Sequence, residues 1–277
     1  MTEFANITAA RPLVLVGGGR MGSAMLAGWL ARDLDPEAVV VIEPDAASRD
    51  RLTAEHRGIG LLGDPEGLEV SPAVIVLAVK PQVMDQALVP LAGHAKALYV
   101  SIAAGKTLGY FDAHLTGGPA VVRAMPNTPA AIGRGMTVCV ANDQVSATQR
   151  SLCTALMEAV GAVAWIDDEK LMDAVTALSG SGPAYVFHLI ESMAAAGRAL
   201  GLPEDQALLL ARQTVTGAGA LVDASPGTSA AELRQNVTSP GGTTEAALNI
   251  LMGEAGLAAL MRRALEAAAK RSKELSG

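Results

Sequence analysis

Aromatic residues make up only 3% of this 277-residue chain, and cysteine occurs twice, at Cys139 and Cys153. A core resting on aromatic strands is thereby excluded, so Ala, Leu and Val must supply most of the packing. Two cysteines without CxxC spacing do not make a disulfide scaffold, and they read as reduced thiols of a cytoplasmic protein. His56, His94, His114 and His188 lack metal-ligand spacing, so no metal site is expected. Membrane-length apolar runs are missing too: the most apolar strand candidate, Ala73–Val79, stops at Lys80-Pro81. The N-terminus has neither the basic stretch nor the long apolar run of a signal peptide, and no membrane partner is expected. Cations are also scarce. Lys and Arg number 21 against 28 Asp and Glu, a net charge of −7, and the chain is acidic on both sides of residue 168. A nucleic-acid partner is set aside on that ground. No G-x-S-x-G or other nucleophile signature is found.

What is present is a change of pattern part-way along. Half of the residues are hydrophobic, which excludes intrinsic disorder. Up to about residue 168, short β-branched runs alternate with helical stretches. The strand candidates are Leu13–Val16, Val39–Ile42, Ala73–Val79, Tyr99–Ile102, Ala120–Arg123, Thr137–Ala141 and Ala162–Ile166. Such alternation predicts βαβ units and a parallel sheet with helices on both faces. From Glu169 onward the strand-like runs disappear. Ala/Leu-rich segments at 173–178, 183–200, 205–224, 230–236 and 243–275 read as helices separated by Gly- and Pro-containing turns. The expected organisation is therefore α/β, with a sheet domain over 1–168 and an all-helical domain over 169–277. Helices apolar on more than one face, as at Leu208-Leu-Leu-Ala, point to burial in a subunit interface.

The strongest local motif is Gly17-Gly18-Gly19-Arg20-Met21-Gly22, in which Gly17, Gly19 and Gly22 fit G-x-G-x-x-G. It follows the first strand and opens the first helix, the context that a dinucleotide pyrophosphate requires. The first glycine permits the turn, the second lets backbone approach the phosphates, and the third lets helix pack on strand. Glu43, 21 residues past Gly22, ends the second strand, where a carboxylate bonds a ribose 2′-hydroxyl. It would repel a 2′-phosphate, so it favours NADH over NADPH, although Arg49 and Arg51 nearby keep NADPH open. Ala78, Val79, Lys80 and Pro81 end another strand at the edge where ligands bind, and Ala103, Ala104 and Gly105 do the same one strand on. Met125-Pro-Asn-Thr-Pro129 reads chiefly as a rigid turn, with Asn127 and Thr128 able to face a cleft. In the helical part, Asn236-Val-Thr-Ser-Pro-Gly-Gly-Thr-Thr-Glu245 places glycine amides just before a helix, a concavity suited to a carboxylate. A helix capped by Thr243 or Thr244 is the plainer alternative.

Taken in order, the glycine loop, Ala78-Val-Lys-Pro81, Met125-Pro-Asn-Thr-Pro129, Ala177-Leu-Ser-Gly-Ser-Gly-Pro-Ala-Tyr185 and Val237-Thr-Ser-Pro-Gly-Gly-Thr-Thr244 resemble pyrroline-5-carboxylate reductase, from about Leu13 to Leu275. The resemblance implies a Rossmann-type domain followed by a helical dimerisation domain, assembled as a homodimer or higher homo-oligomer. It implies reduction of a cyclic imine carrying a carboxylate, Δ1-pyrroline-5-carboxylate, to L-proline with NADH or NADPH. By position, Gly17, Gly19, Arg20, Met21 and Gly22 would hold the pyrophosphate. Ala78–Pro81 with Ala103 and Ala104 would flank the nicotinamide, and Asn236 would touch the cofactor. Gly241, Gly242 and Thr243 would bind the substrate carboxylate, and Thr244 would stand at the ring nitrogen as the catalytic residue. Pro65 stands where the family often has Asn, a departure on the adenosine side.

Two other readings differ in class. A β-hydroxyacid dehydrogenase shares the domain order but needs a lysine base on a helix of its second domain, and no lysine lies between Lys170 and Lys270. A non-catalytic dinucleotide sensor needs no anion-holding loop beside the cofactor edge.

Overall fold

The computed structural model describes residues 4–276. Its sheet is built from β1 (Leu13–Val16), β2 (Val39–Ile42), β3 (Gly60–Leu62), β4 (Val74–Leu77), β5 (Leu98–Ser101), β6 (Ala120–Met125), β7 (Gly135–Ala141) and β8 (Gly161–Trp165). The eight strands lie in the order β3-β2-β1-β4-β5-β6-β7-β8. In β1 the side chains alternate between two cores. Leu13 and Leu15 pack with Met25, Leu26 and Trp29 on one face, while Val14 and Val16 pack with Met84, Leu88 and Phe111 on the other. Covering both faces is what the unbroken Val/Ile/Leu runs of β1 and β4 require.

Crossover helices on the two faces are α1 (Arg20–Ala31), α2 (Ala46–Glu55), α3 (Met84–Leu88), α4 (Leu108–His114) and α5 (Ala147–Glu158). Their starts are chemically marked. Asp45 accepts the Ser48 amide at 2.8 Å, Thr107 accepts that of Tyr110 at 3.1 Å, and Ser146 forms a capping box with Gln149. The first six strands run parallel, in agreement with the expected sheet, but β7 runs antiparallel to β6. Only a short 3₁₀ turn, Thr128–Ile132, separates them, too little chain for the crossover that a parallel pair needs.

Trp29 ties α1 to α5: its buried indole N–H donates to the Leu156 carbonyl at 2.8 Å. Next to it, Gly28 lets the two helices approach. A Cβ there would stand 2.7 Å from the Ala159 carbonyl oxygen and 2.9 Å from Val160 Cγ1.

The remaining helices are α6 (Met172–Val175), α7 (Gly182–Ala199), α8 (Glu204–Asp223), α9 (Ala230–Asn236), α10 (Thr243–Leu251) and α11 (Leu257–Ser276), with a π-helical turn at Thr176–Gly180. The single helix expected over 243–275 is in fact two. The break follows from Gly253 and Gly256, where the Gly256 amide turns back onto the Gly253 carbonyl and a Cβ on Gly256 would lie 2.3 Å from the Leu251 oxygen. By packing, the chain forms two compact units, Met1–Gly180 with Ala269–Gly277, and Ser181–Ala268. The sequence pattern changes at residue 168, where strands cease; the packing boundary falls later because α6 and the π turn belong to the sheet unit. Within the second unit, Gly197 on α7 faces Ala207 on α8, a Cβ at Gly197 lying 3.4 Å from the alanine methyl.

Replacing Gly28 by Ala is expected to destabilise the sheet unit by about 1–3 kcal/mol through overpacking. Urea denaturation followed by far-ultraviolet dichroism measures this, and nicotinamide dinucleotide affinity should change little.

Candidate active site

Strand order reverses between β1 and β4, which carry the chain away in opposite directions, and open α/β sheets bind ligands in the crevice at such a point. Both strands end there in backbone at van der Waals limits. Gly17 has φ +102°, and a Cβ on it would sit 2.8 Å from the Ala78 carbonyl oxygen. On Gly22 a Cβ would fall 2.1 Å from the Gly17 oxygen. Gly19 is the contrast: nothing lies within 4 Å of the position its Cβ would take. Gly19 is also the N-cap of α1, and it has no side chain to cap the helix. The first-turn amides at Arg20, Met21 and Gly22, with the positive end of the helix dipole, thus border open space that fits a pyrophosphate.

Glu43 enters this loop directly. Its Oε2 accepts the Gly18 amide at 2.7 Å and its Oε1 the Asp45 amide at 3.0 Å. The two nearby arginines are already engaged. Arg49 donates to the carbonyls of Glu43 at 2.7 Å and Pro44 at 2.8 Å, and Arg51 donates to the Gly18 carbonyl at 3.0 Å. On the side of β1 and β2, a cavity of about 300 Å³ is walled by Val16, Ile42, Pro44, Pro65, Val79 and Val83, with Asp64 and Gln86 as polar edges. Apolar walls with two polar edges fit an adenine ring. Pro65, the departure from the family pattern, contributes apolar wall rather than a hydrogen bond.

Beyond β4 and β5 a second cavity of about 290 Å³ is bordered by Pro81, Gln82, Ala104, Gly105, Lys106 and Thr176, together with Ser272 and Leu275 of α11. Ala103, next in the chain to Ala104, is buried. Lys80 is exposed at the start of the 3₁₀ turn Pro81–Val83 and makes no side-chain bond to it. Lys106 is held aside. Its ammonium stands 3.6 Å from Asp85 and 3.9 Å above the Tyr110 ring centroid. Tyr110 donates its hydroxyl to Asp85, which keeps the Asp85 carboxyl below its usual range, while burial first and Asp85 second push the Tyr110 phenol up. Elsewhere in the sheet unit Arg123, 4% exposed, meets Glu169 through its guanidinium at 2.9 Å. The same carboxylate oxygen accepts the Leu108 amide at 2.8 Å. Lys106, Thr176, Ser272, Gln86 and Asp64 were not foreseen, since single polar residues far apart in sequence give no local signal.

The other expected residues belong to the second unit. Asn236 is the exposed last residue of α9. Gly241 has φ +70°, and its amide donates to the Glu245 carboxylate at 2.7 Å. Gly242 turns onto Ser239, its amide donating to that carbonyl at 3.0 Å, and a Cβ there would lie 2.6 Å from Ser239 Oγ. Gly242 is also the N-cap of α10, without a side-chain cap, so the alternative of a threonine cap at Thr243 or Thr244 is not what forms. Pro-Gly-Gly is needed because the chain must pass closely over Ser239 before entering the helix.

Residues 12–105 match the family described as NADP oxidoreductase coenzyme F420-dependent, and residues 169–275 match that described as Pyrroline-5-carboxylate reductase dimerisation. A pyrroline-5-carboxylate reductase from Synechocystis sp. is 43% identical over 267 residues, covering 95% of this chain and 97% of that protein. The chain belongs to the pyrroline-5-carboxylate reductase family. A solved member from Coxiella burnetii superposes with TM-score 0.90 at 36% identity, covering 97% of this chain and 99% of that one. The enzyme from Plasmodium falciparum, solved with NADP bound, gives 0.81 at 29%, covering 98% and 100%. The chain is accordingly an oxidoreductase of the nicotinamide-dinucleotide type. The helical part that matches the dimerisation family leaves large apolar side chains in the open, with Phe187, Leu209 and Ile250 58%, 65% and 78% exposed. No described helix is long and apolar enough to cross a membrane.

Gly22→Ala should displace the glycine loop, raising the dissociation constant for reduced nicotinamide dinucleotide about tenfold or more, as read by fluorescence titration.

Proposed function

We propose that this protein reduces Δ1-pyrroline-5-carboxylate to L-proline, the last step of proline biosynthesis. When bound, the nicotinamide dinucleotide supplies the hydride. The chain's own residues bind and orient. Gly17, Gly19, Arg20, Met21 and Gly22 hold the pyrophosphate on backbone amides, and Glu43 takes the ribose. Ala78, Val79, Lys80 and Pro81, with Ala103 and Ala104, border the nicotinamide, and Asn236 adds a polar contact to the cofactor. The Gly241 amide, on exchanging Glu245 for it, and the Thr243 amide take the substrate carboxylate, while Gly242, whose amide is spent on the Ser239 carbonyl, shapes the turn rather than donating.

The observation that carries the proposal is the Ser239–Thr244 turn, whose Gly241 amide already donates to a carboxylate, that of Glu245, at 2.7 Å. A carboxylate held there fixes the imine ring, and fixed orientation supplies a large share of the acceleration. Thr244 hydrogen-bonds the ring nitrogen, which makes the adjacent carbon the better hydride acceptor. Its hydroxyl is an ordinary one, so it orients the proton delivered to nitrogen rather than acting as a strong acid. We place the reaction in the cytoplasm, a setting that suits the two free thiols Cys139 and Cys153.

Oxidation of reduced dinucleotide in the presence of pyrroline-5-carboxylate, with proline as product, tests the reaction. A folded protein that binds the dinucleotide yet gives no absorbance loss with this imine would overturn it. Thr244→Ala is expected to lower kcat by about tenfold to a hundredfold with dinucleotide affinity unchanged.

Glu43 sets the cofactor preference. A 2′-phosphate would meet its carboxylate, and Arg49 and Arg51 are tied to backbone carbonyls. NADH should therefore give the higher kcat/KM, and Glu43→Ser should shift the NADPH/NADH ratio about tenfold towards NADPH. A parent enzyme that prefers NADPH would remove Glu43 from this role.

A further inference from the structure

Asparagine at the start of a helical turn ordinarily caps it, yet Asn127, the N-cap of Thr128–Ile132, makes no side-chain cap bond. Its amide is spent elsewhere. Oδ1 accepts the Met136 amide of β7 at 2.9 Å, and Nδ2 donates to the Ser179 carbonyl at 3.0 Å. The reason that carbonyl needs a donor is written in the sequence. An α-helical continuation would pair the Ser179 carbonyl with residue 183, a proline without an amide, and the Ala184 amide, its partner in π geometry, donates to the Ser181 carbonyl at 3.0 Å instead. Asn127 supplies the missing N–H from across the fold. Its neighbour seals the same junction by shape, since a Cβ on Gly180 would lie 2.6 Å from Met125 Cε.

The segment so held is the π-helical turn Thr176–Gly180. Within it, the hydroxyls of Thr176 and Ser179 are folded back onto the carbonyls of Met172 at 2.8 Å and Val175 at 3.1 Å. Thr176 lines the cavity beyond β4 and β5 together with Pro81, Ala104 and Gly105. Granted the reductase activity proposed above, we infer that Asn127 is a positioning residue for hydride transfer: by standing in for the amide that Pro183 lacks, it fixes the π turn that shapes the nicotinamide end of the cofactor site.

Asn127→Asp keeps the acceptor for Met136 and removes the donor to Ser179 but adds a charge facing that carbonyl, so the neutral Asn127→Leu, which also lacks the donor, is measured beside it and must show the same loss. Expected are a kcat/KM for the imine about tenfold lower and an NADH dissociation constant within about twofold of the parent, since the glycine loop and adenine cavity are untouched. Pro183→Ala in the Asn127→Asp background returns an amide to position 183 and should recover part of the lost kcat/KM. The inference falls if Asn127→Asp keeps kcat/KM within about twofold, if NADH affinity drops in step with turnover, or if Pro183→Ala recovers nothing. A parent enzyme inactive on the imine overturns the underlying activity instead, which separates the two failures.

Discussion

The backbone-to-backbone approach of Gly17, Gly22 and Ala78 is the constraint on which the sheet unit's chemistry depends. Carbonyl oxygens of residues 17 and 78 lie where any side chain on Gly22 or Gly17 would have to be. Because α1 can come that close to the end of β1, its free amides sit directly over the reversal of strand order. The space left above Gly19 is a by-product of the same packing. Trp29 and Gly28 hold the far end of α1 against α5, so the helix is fixed at both ends and its N-terminus cannot drift from the crevice.

Charge is handled economically around that crevice. Glu43, Arg49 and Arg51 satisfy backbone groups of the loops they border, so none of them is simply an exposed charge awaiting a ligand. Glu169 likewise accepts a backbone amide, that of Leu108, and pairs with Arg123 of β6, joining a strand, a helix start and the approach to α6 through one carboxylate. Buried or half-buried ions bonded on several sides confer definite geometry more than net stability.

Much of this architecture is legible from residues alone, and the limits of legibility have physical causes. Strands β1, β2 and β4 show in the sequence because burial on both faces demands unbroken β-branched and Leu runs. Strand β3, Gly-Leu-Leu at the sheet edge, has no such demand and is silent. The glycine loop is legible because Gly17 and Gly22 each answer a close backbone contact and Gly19 leaves open space at the start of α1; the direction of β7 is not, because it depends on the length of a connection rather than on strand composition. Gly253 and Gly256 do break the last helical stretch, but isolated glycines inside an apolar pattern compete poorly with its periodicity. Asn127 looks like a turn former, and only the fold reveals that it serves a carbonyl 52 residues away. The glycines at 241 and 242 announce a turn before a helix, whereas the bond of the Gly241 amide to Glu245, in the first turn of α10, shows only in the structure.

The indole of Trp29 has a consequence beyond helix packing. The chain's other tryptophan, Trp165, lies under the Arg150 guanidinium, 4.1 Å from ring centroid to Cζ, and it too belongs to the sheet unit. Residues 181–268 contain none. Tryptophan emission is therefore a private signal of the dinucleotide-binding half: it responds to loosening of α1 from α5 and stays dark to events confined to the helical half, which announces itself only through dichroism, tyrosine or mass.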